Sequence, residues 1–208
     1  MNTFEDLIAE MEEYGRSNHV PIINEKGMPV LLEMVRQKKP HRVLEIGTAI
    51  GYSALLIAHN SAEDVEIDTL ELSQERAATA RAYIDRSVYK DRIRIHIGDA
   101  GENILKLSGK YDFVFIDAAK GQYPDYFHKV YPLLTEDAMV LADNVLFRGY
   151  VRGDVEYPRR FKTIVKRLRE YISLVSDNDE FETVIREDGD GLAVSRRLPR
   201  RTIDDKKA

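Results

Sequence analysis

The chain has 208 residues, of which 43% are hydrophobic and 32% charged, and it contains no cysteine. This size favours one domain, and the missing thiols exclude disulfides and cysteine-ligated zinc and suit a reducing cytoplasm. No apolar run approaches the roughly 20 residues of a membrane span, and early acidic residues argue against a signal peptide. The net charge of −5 argues against a chain that is basic throughout. We expect a single cytoplasmic domain over residues 1–208.

The first 40 residues are predicted to form a helical layer ahead of a sheet. Thr3 and Asp6 resemble a capping pair, and apolar residues at helical spacing follow them. This pattern predicts a helix over residues 4–14 that ends at Gly15. A second helix is predicted from about residue 24 to residue 38.

A strand, a glycine-bracketed loop and a helix come next. A run of strand-forming residues over 43–46 is interrupted only by Glu45, and a turn then extends from Gly47 to Gly51. From Ser53 onward, apolar residues recur at helical spacing. The glycines allow the backbone to approach a ligand closely, and a helix N-terminus favours a carboxylate or a phosphate. The loop indicates a nucleotide-type site, with an ordinary strand-to-helix turn over a buried acid as the alternative. The spacing differs from Gly-x-Gly-x-x-Gly, which disfavours a dinucleotide fold.

The remaining chain alternates between strand-like and helix-like segments. Six more strands are predicted, at 66–71, 92–97, 111–116, 138–142, 181–186 and 192–197, with helices at 73–86, 101–107, 126–134 and 162–174. The last two strands should form a hairpin. This order predicts a Rossmann-like α/β fold, in which a seven-stranded, mostly parallel sheet with one antiparallel strand has helices on both faces. Residues 199–208 are expected to be a flexible tail.

Two acidic residues follow predicted strands on the side of the glycine loop. Glu71 ends its strand about 20 residues after the loop, where a carboxylate can accept both ribose hydroxyls of a nucleoside. Asp99 follows the next strand and is placed to accept from an adenine amino group. The alternative for Glu71 is a solvated carboxylate. The alternative for Asp99 is a helix N-cap, and Asp99 could cap the helix and bind adenine at the same time.

Oxygen ligands are predicted at the ends of two further strands. Asp117 follows one buried strand, and Asp143 with Asn144 follows the next. Since parallel strands end at the same edge of a sheet, these oxygens should meet there. An all-oxygen set without His or Cys selects a hard divalent cation such as Mg²⁺. Lys120 should project into the same mouth and could act as a general base; the alternative for the whole set is solvated strand ends with a salt bridge.

These motifs together resemble one enzyme family. The residues concerned are Gly51-Tyr52-Ser53, Asp117-x-x-Lys120 and Ala142-Asp143-Asn144-Val145. The pattern is similar to that of the metal-dependent, S-adenosylmethionine-dependent O-methyltransferases, which include the catechol and caffeoyl-coenzyme A enzymes. The resemblance covers about residues 22–197.

The resemblance implies a role for each matching position. The cofactor S-adenosylmethionine would be bound by Ile22, Glu45, Gly47, Ser53, Glu71, Asp99, Ala100 and Asp117. Among these, Glu45, Gly47 and Ser53 would hold the methionyl part, Glu71 the ribose, and Asp99 with Ala100 the adenine. Asp117, Asp143 and Asn144 would hold Mg²⁺, and Lys120 would be the catalytic base. The family also suggests a homodimer.

The segments 117–123 and 143–151 look closest to bacterial tRNA 5-hydroxyuridine methyltransferases, which make 5-methoxyuridine at the wobble position. A basic segment, residues 146–170, carries eight basic residues against three acidic ones and begins just after Asn144. An anticodon loop would suit such a rim, because phosphates supply most of the affinity and unstacked bases can enter a pocket. The candidate RNA-binding residues are Arg148, Arg152, Arg159 and Arg160.

Two alternatives to the RNA substrate stay open. The basic segment is otherwise the solvated face of a helix, which a charge run usually is. The enzyme would then be a small-molecule O-methyltransferase of the catechol type. The second alternative is a nucleoside-binding protein without catalysis, in which Lys120 would have no catalytic role.

Overall fold

The structure, a computed structural model, describes residues 3–153 and 155–199. Its helices are α1 (Phe4–Ser17), α2 (Gly27–Lys38), α3 (Tyr52–Asn60), α4 (Gln74–Ile84), α5 (Ala100–Ile104), α6 (Tyr123–Val130) and α7 (Lys162–Ser176). Its strands are β1 (Arg42–Ile46), β2 (Glu66–Glu71), β3 (Ile93–Ile97), β4 (Tyr111–Ile116), β5 (Leu134–Ala142), β6 (Phe181–Arg186) and β7 (Leu192–Arg197). The predicted tail after Pro199 lies outside the described residues.

The seven strands form one sheet in the order β3-β2-β1-β4-β5-β7-β6. The first five strands pair in parallel, whereas β7 pairs antiparallel with both β5 and β6. This arrangement confirms the predicted mostly parallel sheet with one antiparallel strand and its closing hairpin. The order reverses at β1 and β4, the point where open α/β sheets bind ligands beyond the carboxyl ends of their strands.

Alternate residues of the central strands pack on opposite faces of the sheet. Val43 and Phe113 contribute to a core shared with α1–α4, whereas Leu44 and Val114 contribute to a second core that includes side chains of α5, α6 and α7. Helices therefore cover both faces, as predicted. The N-terminal layer lies on the same face as α3 and α4. In the part of the chain that the structure describes, no helix has the length and apolarity needed to cross a membrane.

Several predicted boundaries differ from the structure. Helix α5 ends at Ile104 instead of residue 107, α6 ends at Val130 instead of residue 134, and β5 begins at Leu134 instead of residue 138. Helix α1 continues through Gly15 to Ser17. Gly15 is buried and a Cβ there would lie 3.2 Å from Ile22, so this glycine serves close packing and does not end the helix. Its N-terminus is the predicted capping box of Thr3 and Asp6. Helix α6 begins three residues earlier than predicted. Its Pro124 lies in the first turn, where the missing N–H costs nothing, and this signal was available in the sequence.

Candidate active site

The two glycines of the loop between β1 and α3 lie against other parts of the protein, a contact that the sequence did not predict. Gly47 has φ of +108°, and a Cβ on it would lie 2.1 Å from the Asp117 carbonyl oxygen. Gly51 has φ of +84°, and a Cβ there would lie 3.3 Å from side-chain atoms of Ala80 and Ile84 in α4. Gly47 therefore makes room for the backbone that follows β4, and Gly51 makes room for side chains of α4.

Glu45 lies beneath this loop and has no exposed surface. Its two carboxyl oxygens accept hydrogen bonds from the Ser53 hydroxyl and the Thr69 hydroxyl, each at 2.5 Å. Thr69 stands directly opposite Glu45 in the β1–β2 register. Burial raises the pKa of Glu45 to about 7 although both hydroxyl groups act in the other direction. The geometry gives Glu45 a role in orienting Ser53 from below, and Glu45 is not part of the cavity wall.

Glu71 and Asp99 lie at the ends of β2 and β3, as predicted. The two carboxyl oxygens of Glu71 accept backbone N–H groups, from Ala49 at 2.8 Å and from Ser73 at 2.9 Å. Asp99 is the N-cap of α5 and accepts the Glu102 N–H at 3.0 Å. Each carboxylate is thus held in place while it still lines the cavity described below. The capping role and the ligand role proposed for Asp99 are compatible in this geometry.

The hydrogen-bond ladder continues one residue beyond the ends of β1, β4 and β5. The Asp117 N–H donates to the Ile46 carbonyl and the Asp143 N–H to the Ile116 carbonyl, both at 2.9 Å. Asp117 and Asp143 are therefore neighbours, as the sequence predicted. Burial, together with the negative charge of Asp117, raises the pKa of Asp143 to about 7, and burial also raises the pKa of Asp117. The Lys120 ammonium acts in the opposite direction on both carboxyl groups.

Asn144 completes the oxygen set at this edge. It has a left-handed backbone, with φ of +58°, and its N–H donates to the Asp143 carboxylate at 2.7 Å. Over residues 3–153 and 155–199, no group of three or more His, Cys, Asp or Glu side chains is arranged to hold a metal ion. Any cation here would depend on two carboxylates and the Asn144 amide, with other oxygens from water or substrate.

Tyr123 contacts the ends of both β4 and β5, an interaction that the sequence did not predict. Its side chain is fully buried, and its hydroxyl lies 2.9 Å from the Asp143 carbonyl oxygen, to which it donates, and 3.4 Å from that of Ile116. Burial and the nearby Asp117 and Asp143 charges raise the pKa of Tyr123 far above its usual value. The hydroxyl therefore stays protonated and remains a donor.

One cavity of about 390 Å³ unites most of the predicted residues. Its wall includes Ile22, Gly47, Ser53, Glu71, Asp99, Ala100, Asp117, Lys120, Asp143 and Asn144. Sequence reasoning missed several other wall residues, among them Asn24, Thr48, Tyr52, Leu72, Arg76, Gln122 and Tyr126. Tyr52 and Gln122 sat inside the recognised motifs and could have been found. Arg76 and Tyr126 carried no signal, because only the packing of α4 and α6 brings them to the mouth.

The four candidate RNA-binding arginines lie outside this cavity wall. Arg148 is exposed, and its guanidinium lies 5.7 Å from the centre of the Phe161 ring, which Arg160 approaches to 4.8 Å. Arg159 is exposed on the same short turn. Arg152 forms an ion pair with Glu187, which reduces the positive charge it can offer.

Aromatic rings accompany the arginines beside the mouth. Phe147, Tyr150 and Phe161 contact one another with ring centres 5.2–5.9 Å apart, and Tyr157 lies against Tyr150. The Phe147 N–H donates to the Asn144 carbonyl at 3.2 Å. This arginine–aromatic cluster, residues 147, 148, 150, 157, 160 and 161, therefore begins one turn from the oxygen set.

Known proteins with similar sequences and structures point to the same chemistry. A sequence profile described as O-methyltransferase matches residues 5–198. The catechol O-methyltransferase of Niastella koreensis is 30% identical over 150 residues, which cover 67% of this chain and 66% of that protein. A candidate caffeoyl-CoA O-methyltransferase structure from Staphylococcus aureus has a TM-score of 0.83 and 31% identity, and the match covers 94% of this chain and 93% of that one.

A third similarity concerns the fold alone. The O-methyltransferase of Bacillus cereus, solved in complex with S-adenosylhomocysteine (SAH), has a TM-score of 0.82 and 23% identity, with 92% of this chain and 90% of that one covered. The profile match spans nearly the whole described chain. The chain therefore belongs to the O-methyltransferase family, and its relatives include catechol and caffeoyl-CoA O-methyltransferases.

Proposed function

We propose that this protein methylates a hydroxyl group that has a second oxygen on the adjoining atom, with a divalent cation such as Mg²⁺ in the site. The observation that carries the proposal is one cavity whose wall contains Lys120, Asp117, Asp143 and Asn144 together with the predicted cofactor positions other than Glu45. Such a substrate could present two oxygens to one cation. The proposal therefore accounts for oxygen ligands and a base in the same cavity as the predicted cofactor positions.

The residues present fit a hard cation. Asp143 is buried and the neighbouring Asp117 is partly buried, and desolvation and mutual repulsion disfavour two negative charges here. A bound cation would offset this cost. The donors are carboxylate and amide oxygens, which suit Mg²⁺ or Mn²⁺ and not a soft metal. The cation would supply Lewis acidity toward the substrate oxygens.

Lys120 is the proposed base. It lies in the cavity wall on the short turn Lys120–Gln122, and its charge influences both Asp117 and Asp143. In its neutral amine form, its Nζ would take the hydroxyl proton and become an ammonium, which leaves an oxygen nucleophile at the mouth. S-adenosylmethionine would supply the methyl group and leave as SAH. Ser53 and Glu71, each held by a hydrogen bond inside the protein, would orient the methionyl and ribose parts of the cofactor.

For the substrate we propose 5-hydroxyuridine in a tRNA anticodon loop, whose C5 hydroxyl adjoins the C4 carbonyl. The arginine–aromatic cluster beside the mouth supports an RNA, because exposed guanidinium groups can bind phosphates and aromatic rings can stack on unpaired bases. A small catechol is the second candidate. It is favoured by the catechol O-methyltransferase of Niastella koreensis, which resembles this chain.

One assay separates the two substrates. Purified protein with S-adenosylmethionine and Mg²⁺ is given catechol or tRNA from cells that lack this methylation, and the methyl product is measured. We expect methylation of the tRNA that stops with EDTA and in Lys120→Met, while the Kd for SAH stays within about twofold in that variant. Methylation of catechol alone would show that the RNA proposal is wrong. Methylation of neither acceptor would contradict the proposed function as a whole.

A second experiment tests the RNA surface. Arg159→Ala/Arg160→Ala should weaken tRNA binding and lower the slope of log Kd against log salt by about two. A charge-matched control, Arg16→Ala/Arg94→Ala, removes exposed arginines on α1 and β3 and should leave the slope unchanged. Equal slopes in the two double variants would assign Arg159 and Arg160 to the solvated surface.

A further inference from the structure

The loop that follows the proposed metal ligands is held by the turn between β6 and β7. The Val145 N–H donates to the Gly191 carbonyl at 3.0 Å, and the Leu146 N–H donates to the Asp190 carbonyl at 2.8 Å. The Asp190 carboxylate also accepts the Arg148 N–H at 3.2 Å. Three hydrogen bonds, from residues 145, 146 and 148, therefore hold this loop against one turn, and one of them depends on a side chain.

The fastened loop has a backbone that needs support. Asn144, Phe147 and Arg148 all have left-handed φ values, of +58°, +40° and +59°. Such conformations are costly for residues other than glycine and persist where the surroundings impose them. The turn lies close enough to do so, since a Cβ on Gly191 would lie 2.4 Å from Leu146 Cγ.

The same loop carries half of the arginine–aromatic cluster. Phe147 and Tyr150 contact Phe161, and the Arg148 guanidinium lies over the Phe147 and Phe161 rings. The direction in which these side chains leave the backbone depends on the φ values at 147 and 148. Whatever fixes the backbone there also fixes the surface that borders the mouth.

We propose that Asp190 is a positioning residue that holds the loop 145–151 in its substrate-binding conformation. The inference deepens the proposed function and rests on it for the identity of the acceptor. The acidic charge of this turn allows the positioning role to be separated from a simple charge effect. The turn carries Glu187, Asp188 and Asp190, so removal of one of these charges should not by itself weaken the binding of a negative acceptor such as RNA; weaker binding would point to a lost contact.

Two substitutions at one position separate these effects. Asp190→Asn and Asp190→Ala both remove the negative charge, but only asparagine keeps an acceptor oxygen for the Arg148 N–H. We expect Asp190→Ala to raise the KM for the methyl acceptor about tenfold with kcat changed less than threefold, and Asp190→Asn to stay within about twofold of wild type. The Kd for SAH should stay unchanged in both. Asp188→Ala serves as the charge control, because its carboxylate contacts Arg186 of the same hairpin.

Amide hydrogen exchange gives a readout that needs no acceptor. Peptides that cover 145–151 should exchange faster in Asp190→Ala than in Asp190→Asn or Asp188→Ala. The inference is overturned if Asp190→Asn and Asp190→Ala behave alike in KM and exchange, or if Asp188→Ala matches Asp190→Ala. If wild type methylates neither tRNA nor catechol, the proposed function fails, whereas the exchange data still decide whether Asp190 holds the loop.

Discussion

The carbonyl oxygen of Asp117 occupies the space where a side chain on Gly47 would begin. An ideal Cβ on Gly47 would lie 2.1 Å from that oxygen, well inside the contact distance of any two heavy atoms. The strand end that carries the proposed metal ligand and the loop that borders the cofactor site are therefore in direct backbone contact. Movement of one should move the other.

Gly47→Ala should accordingly damage both stability and cofactor binding. The new methyl group would force β1 and β4 apart at their ends, and alanine disfavours the φ of +108°. We expect a loss of about 2 kcal/mol or more in the free energy of unfolding and at least tenfold weaker SAH binding, measured by urea denaturation and calorimetry. In Gly121→Ala, where the new Cβ meets no atom within 4 Å, stability should change by well under 1 kcal/mol. Equal stability in the two variants would contradict the contact.

The raised pKa of Glu45 predicts that its contribution to the free energy of unfolding falls as pH rises. Its pKa is raised from 4.5 to about 7 in the folded protein, so the folded state binds its proton more tightly than the unfolded state does. The contribution of this proton is fully present below about pH 4.5 and is lost as pH rises through 7. Glu45→Gln should remove it, and the difference between wild type and variant should change by about 3 kcal/mol between pH 4.5 and pH 8.

Urea denaturation of both proteins across this range would measure the effect. Titrations of other groups are shared by the two proteins, so they cancel in the difference. Parallel stability profiles would mean that the pKa of Glu45 is the same in the folded and unfolded protein.

The raised pKa of Asp143 predicts that metal affinity depends on pH in the neutral range. Its pKa of about 7 means that protons occupy this carboxyl group below neutrality and compete with a cation. Affinity for Mn²⁺ should fall by up to tenfold for each pH unit below 7 and level off above about pH 8. Titration of Mn²⁺ at pH 6, 7 and 8, followed by electron paramagnetic resonance, would measure this dependence. Equal affinities at pH 6 and pH 8 would show that Asp143 does not bind the ion.

Tyr123→Phe should weaken metal binding more than cofactor binding. The variant loses the hydrogen bond to the Asp143 carbonyl but keeps the aromatic ring in the core. Partners that orient metal ligands typically contribute tenfold or more to affinity, so we expect about tenfold weaker Mn²⁺ binding and less than twofold change for SAH.

A second buried tyrosine provides the control for this substitution. Tyr111→Phe removes a hydroxyl that donates to Asp68 at 2.9 Å at the other end of β4. Both variants should lose roughly 1 kcal/mol of stability, but Tyr111→Phe should bind Mn²⁺ like wild type. If the two variants bind the ion equally well, Tyr123 has only a structural role.

Local sequence patterns were enough to predict several elements with their boundaries. The strands 66–71, 111–116, 181–186 and 192–197 have the predicted ends, because each is a run of strand-forming residues bounded by turn residues. Helix ends were less predictable. Gly15 looked like a terminator, yet its small size serves contact with Ile22 and the helix continues past it.

The sequence by itself determined that this is an α/β protein with acids at the ends of β2 to β5, because strand periodicity and the residue that ends each strand are local properties. Only the tertiary structure decided what those groups contact. Glu45 faces Thr69 because of the register between β1 and β2, and Gly47 meets Asp117 because β1 and β4 are neighbours. The hydrogen bond from the Arg148 N–H to the Asp190 carboxylate joins residues 42 positions apart. Such contacts depend on how distant segments pack, which spacing along the chain does not specify.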